Sequence, residues 1–158
     1  MIRRQFLALF LATLPLAAQA AGDPTGPQPE LAKQRLVILT RDGVRHDFQV
    51  EMALTQDQQI TGLMFRPHVP ADGGMLFDWG AERDSQMWMK NTISSLDMLF
   101  IAADGTIRHI AEHTVPYSLA VIEGGSARAV LELAAGTAER LDIRVGDKVL
   151  AGPFGNAP

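Results

Sequence analysis

No cysteine occurs among the 158 residues of this chain. Disulfide staples and thiol chemistry are thereby excluded, and stability has to come from a packed core. Basic charge is in short supply as well: 14 Lys and Arg stand against 18 Asp and Glu, a formal charge of -4. A balance of that sign argues against nucleic acid as a partner. Long apolar runs are missing too, since the one continuous stretch, residues 6–16, is well short of the roughly 20 that cross a bilayer. Familiar catalytic signatures are absent: the chain has no Gly-x-Ser-x-Gly elbow, no phosphate loop, no Gly-x-Gly-x-x-Gly and no His-Glu-x-x-His, the motifs whose spacing would point to a reaction. There is no internal repeat.

The N-terminus is organised differently from the rest. Arg3 and Arg4 precede the apolar stretch, and Ala18-Gln19-Ala20 follows it, the layout of a secretory signal peptide over residues 1–20. This predicts export to the periplasm or cell envelope, a mature start at Ala21, and no membrane span after cleavage. Arg3-Arg4-Gln5-Phe6-Leu7 also suits a twin-arginine signal, so both export routes stay open. Removing Arg3 and Arg4 leaves 12 basic against 18 acidic residues, a charge of -6. Residues 21–33 carry Pro24, Pro27 and Pro29 with two glycines, which predicts a flexible, solvated tether. Residues 34–152 then form one β domain, followed by a tail at 153–158. A single core is adequate at this length.

Within the domain, short apolar runs alternate with turn signals. Residues 36–40 and 44–50 flank Asp42-Gly43, and residues 96–102 and 106–113 flank Asp104-Gly105; Asp-Gly between such runs signals a hairpin. Further strands are expected at 75–77, 86–90, 127–133 and 148–151, with turns at Gly124-Gly125 and Gly146-Asp147. Thr55 followed by Gln58 resembles a capping box, and Ile60, Leu63 and Met64 share a face, so one short helix is expected near residues 56–64. The fold class is mainly β: an antiparallel β-sandwich or partly open barrel.

Lys90 and Asp97 stand out as charges within apolar surroundings. If residues 86–90 and 96–101 form a hairpin, the register that puts Lys90 opposite Asp97 also aligns Met89 with Met98 and Met87 with Phe100. One face is then wholly apolar, and the other gathers Trp88, Lys90 and Asp97, with the indole placed to support the cation. The pair is expected to be energetically coupled.

Six ordered blocks carry a family resemblance. Gly62-Leu63-Met64-Phe65-Arg66, Gly74-Met75-Leu76-Phe77, Trp88-Met89-Lys90-Asn91-Thr92, Leu96-Asp97, Pro116-Tyr117-Ser118 and Leu131-Glu132-Leu133-Ala134-Ala135-Gly136 together resemble the family called domain of unknown function 192, over residues 35–150. The resemblance implies a compact, mostly β domain, often exported, without an established biochemical activity. Three positions depart from the usual pattern: Gln59 replaces a frequent arginine, Met87 an aromatic and Ser95 a proline.

The polar members of these blocks give the candidate ligand-binding residues: Arg66, Trp88, Lys90, Asn91, Asp97 and Glu132. Glu132 alternates with Leu131 and Leu133, so it points away from the face those leucines bury. Converged, these groups would orient a small polar or anionic molecule, a glycan or an envelope protein without catalysis and without a cofactor. The alternative is an envelope hydrolase using Asp97 or Glu132, because glycoside cleavage needs two carboxyl groups. A second alternative is copper binding through Met64, Met75, Met87, Met89 and Met98, since thioethers suit copper(I). His109 and His113 are four apart, which on a strand is about 13 Å and unlike a helical metal pair.

Overall fold

The computed structural model describes residues 22–158; the signal-peptide expectation falls on residues outside that span. The domain is mainly β, as expected. Its seven strands are β1 Lys33–Leu39, β2 Arg45–Ala53, β3 Gly73–Met87, β4 Leu96–Ile101, β5 Ile107–Ala111, β6 Ile122–Ala134 and β7 Lys148–Leu150. They form one curled, half-barrel sheet in the order β5-β4-β6-β3-β2-β1-β7. Among the described residues two short α-helices accompany it, α1 Gln56–Thr61 and α2 Thr137–Arg140, with a 3-10 turn at Gly152–Phe154.

Local signals are honoured where they act locally. The Asp42-Gly43 and Asp104-Gly105 turns join β1 to β2 and β4 to β5, with both glycines at φ 82°, a conformation that an L side chain resists. The helix begins at the expected box: Gln58 N donates to Thr55 Oγ1 at 3.3 Å, and Thr55 N donates to Gln58 Oε1 at 3.0 Å. Its α-helical turns end at Thr61, because Gly62 at φ 48° turns the chain away.

Long-range pairing departs from expectation in three places. The sheet is mixed, because β2 and β3 run parallel. The strands expected at 75–77 and 86–90 are the two ends of one strand, β3, which bends at a register shift between Asp78 and Arg83. Gly124-Gly125 is no turn but part of β6, beside a second shift between Ser85 and Gln86. A Cβ on Gly124 would stand 1.8 Å from the Phe100 ring, so only glycine lets that ring lie against the strand.

The hairpin proposed around Asn91 does not form. β3 pairs with β6 and β4 lies on the far side of β6, so residues 88–95 loop over β6 instead of turning tightly. Central strands with two neighbours each bury both faces. One face holds Leu76, Leu99, Leu131 and Leu133 within the larger core cluster. The other packs Met75, Phe77, Met98, Phe100 and Val130 under Leu63, Val69 and Met89 of the covering segment.

Residues 22–32, expected to be a solvated tether, run as an arm against the domain. Gln28 Nε2 donates to the carbonyls of Gln58 and Gly62, and Leu31 N donates to Glu51. Leu31 packs on the second core cluster. Proline kept the arm extended, but its peptide groups still found partners, as backbone polar groups near a buried surface must. The C-terminal tail is also engaged, through Asn156 on Val149 and Ala151.

Candidate functional site

A cavity of about 490 Å³ lies between α1 and the sheet, within the size range of small-molecule sites. Residues of α1 and the turn after it, among them Gln56, Gln59, Leu63 and Met64, form the helix side; Phe77, Trp79, Arg83 and Gln86 of β3, with Glu132 of β6, form the sheet side; Met87, Trp88 and Thr92 also contribute. The helix wall is held in place from two directions. Gln28 binds the carbonyls at the end of α1, and Phe65 N donates to Asn91 O at 2.8 Å, joining the turn after α1 to the loop that carries Trp88.

Glu132 is the chemical centre of this cavity. Strand alternation places it opposite the face of Leu131 and Leu133, as the sequence indicated, in a cross-strand row with Met75 on β3 and Met98 on β4. Both methionines are fully buried, and Glu132 itself is 4% exposed. No hydrogen bond or ion pair to its carboxyl exists among the described residues. Burial therefore acts unopposed and pushes its pKa up to about 8, because a carboxylate loses its hydration there with nothing in exchange. At neutral pH the group is a carboxylic acid, able to donate one hydrogen bond and accept others.

The backbone makes room for this arrangement. A Cβ on Gly74 would come 2.3 Å from the Glu132 carbonyl oxygen, so the glycine lets β3 lie close beside Glu132. Further along β3, the Arg83 guanidinium sits 4.0 Å over the Trp79 ring, which in turn packs on Phe77 at 5.9 Å. Trp79 Nε1 is buried without a partner among the described residues. Arg83 has no carboxylate partner among them.

Of the six candidate residues, the structure brings only Trp88 and Glu132 to the cavity. Trp88 is 47% exposed, with Lys90 Nζ 5.2 Å from its ring centroid, so the expected indole–ammonium contact is present. Lys90 and Asp97 are not partners. Lys90 Nζ binds Asp23 of the arm at 2.9 Å, whereas Asp97 is fully buried and accepts the N–H groups of His113 and Ala138 at 3.0 and 2.9 Å. Its role is to tie the start of α2 and the end of the β5 loop to β4. Arg66 is taken by Glu51 through two hydrogen bonds, and also by the carbonyls of Gln28 and Pro29. Asn91 makes the turn, at φ 55°, a conformation asparagine tolerates.

Trp79 and Arg83 were missed by sequence reasoning, and Gln59 was singled out only as a departure from the family pattern. A signal existed for Trp79, since Met75, Phe77 and Trp79 alternate and so share a face. Arg83 follows the bend in β3, which breaks that parity.

The geometry narrows the chemistry. Asp97 lies outside the cavity with both oxygens engaged, so a two-carboxylate hydrolysis finds one carboxyl here, Glu132. Among the methionines considered for copper, Met75, Met89 and Met98 are fully buried in the core, and Met64 and Met87 line the cavity. Among the described residues, no three His, Cys, Asp or Glu side chains cluster as a metal site would require. No described helix is long and apolar enough to cross a membrane.

Two solved structures resemble the chain closely. A protein from Sinorhizobium meliloti 1021, described as a candidate transcription regulator, is 48% identical with a TM-score of 0.75, over 77% of this chain and 95% of that one. A protein of unknown function from Novosphingobium aromaticivorans DSM 12444 is 35% identical with a TM-score of 0.74, over 89% of this chain and all of that one. A search of curated proteins gave no match. The profile of DUF192, described as Uncharacterized ACR, matches residues 37–151, and the chain belongs to that family.

Proposed function

We propose that this domain binds a small molecule in the cavity beside α1, without transforming it, and that Glu132 supplies the decisive polar contact. The observation that supports this reading is a carboxyl that is buried, has no partner among the described residues and lines a cavity of about 490 Å³. A polar group costs free energy when buried alone and recovers it when a ligand supplies the missing hydrogen bond. Leu63, Met64, Phe77 and two tryptophans give the cavity apolar contact surface, and Gln56, Gln59 and Gln86 add polar groups that could orient a ligand. The cations expected to favour an anion, Arg66 and Lys90, are occupied by Glu51 and Asp23, which favours a ligand with a hydrogen-bond donor over a simple anion. The site belongs to an exported envelope protein on this reading.

The test is a thermal-shift screen of envelope glycans, short peptides, amines and small anions, followed by product analysis of every hit. Stabilisation that Glu132→Leu abolishes, with the ligand recovered unchanged, is the expected result. Product formation lost in Glu132→Gln would replace binding with catalysis by a single carboxylic acid. Stabilisation that survives Glu132→Leu would move the site elsewhere.

A further inference from the structure

We infer, building on the reading of this cavity as a small-molecule site, that its ligand is a bipolar molecule of dipeptide length, with an ammonium end at Glu132 and a carboxylate end at Arg83. Two groups of opposite character, the buried Glu132 and the exposed Arg83, line one cavity without an ion-pair partner among the described residues. The Glu132 carboxyl is buried, lacks any partner among the described residues and lines the cavity. The exposed Arg83 side chain lines the same cavity, its guanidinium lies over the Trp79 ring, and it has no carboxylate partner among the described residues. Once its proton leaves, the Glu132 carboxylate forms a charge-assisted bond with a cationic donor, as a planar guanidinium does with a carboxylate.

Their spacing sets the length of the ligand. Met75 pairs with Glu132, and Trp79, which carries the Arg83 guanidinium over its ring, lies four residues further along β3. That is about 14 Å along the sheet. An extended dipeptide spans about 7 Å, and a charge-assisted hydrogen bond of about 2.8 Å at each end brings the reach to about 13 Å. A single amino acid falls short by one residue. Between the two ends, Leu63, Met64 and Phe77 offer apolar contact to side chains.

The surrounding charges leave this pairing undisturbed. Arg83 and Glu132 are the ionisable residues of the lining. On the same face Glu51 of β2 is neutralised by Arg66, in the covering loop Lys90 is held by Asp23, and from β4 Asp97 is turned toward His113 and Ala138. An ammonium arriving at Glu132 therefore displaces the carboxyl proton to solvent.

Calorimetric titration at pH 7 with leucyl-alanine, its N-acetyl form, its C-terminal amide, free leucine and cellobiose tests this. Leucyl-alanine is expected to bind and, compared across buffers of different ionisation enthalpy, to release about one proton per ligand, by displacement at a carboxyl whose pKa is above the working pH. Both capped forms and free leucine should bind at least about tenfold more weakly, as should leucyl-alanine to Glu132→Gln and Arg83→Gln, for a lost charge-assisted bond. Arg83→Gln should not weaken the amide further. Equal binding of capped and free dipeptide, or binding without proton release, overturns the inference. Cellobiose binding in place of leucyl-alanine overturns it while leaving the cavity reading intact; failure of every compound in the wider screen removes both.

Discussion

Replacing Glu132 by Gln should make this protein more stable at neutral pH, and the gain should vanish in acid. The unfolded carboxyl titrates near 4.5, whereas the folded one is pushed up to about 8 by burial. Between those values the native state holds a proton that the unfolded state has released, so stability falls as pH rises. The favourable term is fully present below about pH 4.5 and is lost as pH climbs through about 8. Each unit corresponds to about 1.4 kcal/mol, which gives a decline of roughly 3 kcal/mol by pH 7 and 4–5 kcal/mol by pH 8. Gln keeps the shape, stays neutral throughout, and removes that slope. Urea melts of both proteins in half-unit steps from pH 4.5 to 8.5 are the assay. Asp78 also titrates, held low because the Arg128 and Gly80 hydrogen bonds outweigh its burial, but it does so below this window and equally in both proteins. Stability curves that run parallel across the whole range would refute the reasoning, since they would mean that Glu132 is ionised in the folded protein. A stabilising variant that also loses ligand is the expected trade at a binding site.

Asp97→Asn should cost roughly 2–4 kcal/mol, because one of two buried N–H groups loses its charged acceptor, and Lys90→Met combined with Asp97→Leu should be additive in denaturant melts, as befits residues with separate partners. Gly74→Ala should cost about 2–3 kcal/mol, the usual result of forcing atoms into a filled space, here against the Glu132 carbonyl; thermal unfolding reads it directly. Arg66→Met leaves Glu51 buried without its partner and should cost roughly 3–5 kcal/mol, and limited proteolysis should then cut within residues 22–32, which Arg66 and Glu51 hold. Terminal sequencing of protein from the cell envelope should begin at Ala21, since Ala18-Gln19-Ala20 is the small-residue cleavage pattern; a chain starting at Met1 would rule out cleavage.

How far the site was legible depended on the range of the interactions involved. Glu132 could be assigned to the face opposite Leu131 and Leu133 because strand alternation is fixed within three residues. Trp88 and Lys90 could be brought together because they are two apart. The Lys90–Asp97 pairing failed because it assumed that strands adjacent in sequence are adjacent in the sheet, whereas β6, distant in sequence, lies between β3 and β4. Arg66 and Lys90 were offered to a ligand because their partners, Glu51 and Asp23, sit 15 and 67 positions away.

By itself, then, the sequence determined the mainly β class, the two Asp-Gly hairpins, the capped helix and the direction of the Glu132 side chain. Each of these rests on backbone conformation or side-chain parity over a handful of residues, where few alternatives compete. Tertiary structure alone decided the parallel pairing of β2 with β3, the docking of the N-terminal arm, the partners of every buried charge and the existence of the cavity. Those outcomes minimise exposed apolar surface and unpaired polar groups over the whole chain at once. The lack of a partner for Glu132 among the described residues is of this second kind: it exists because β6 lies inside the sheet between β3 and β4, with a buried methionine on either side.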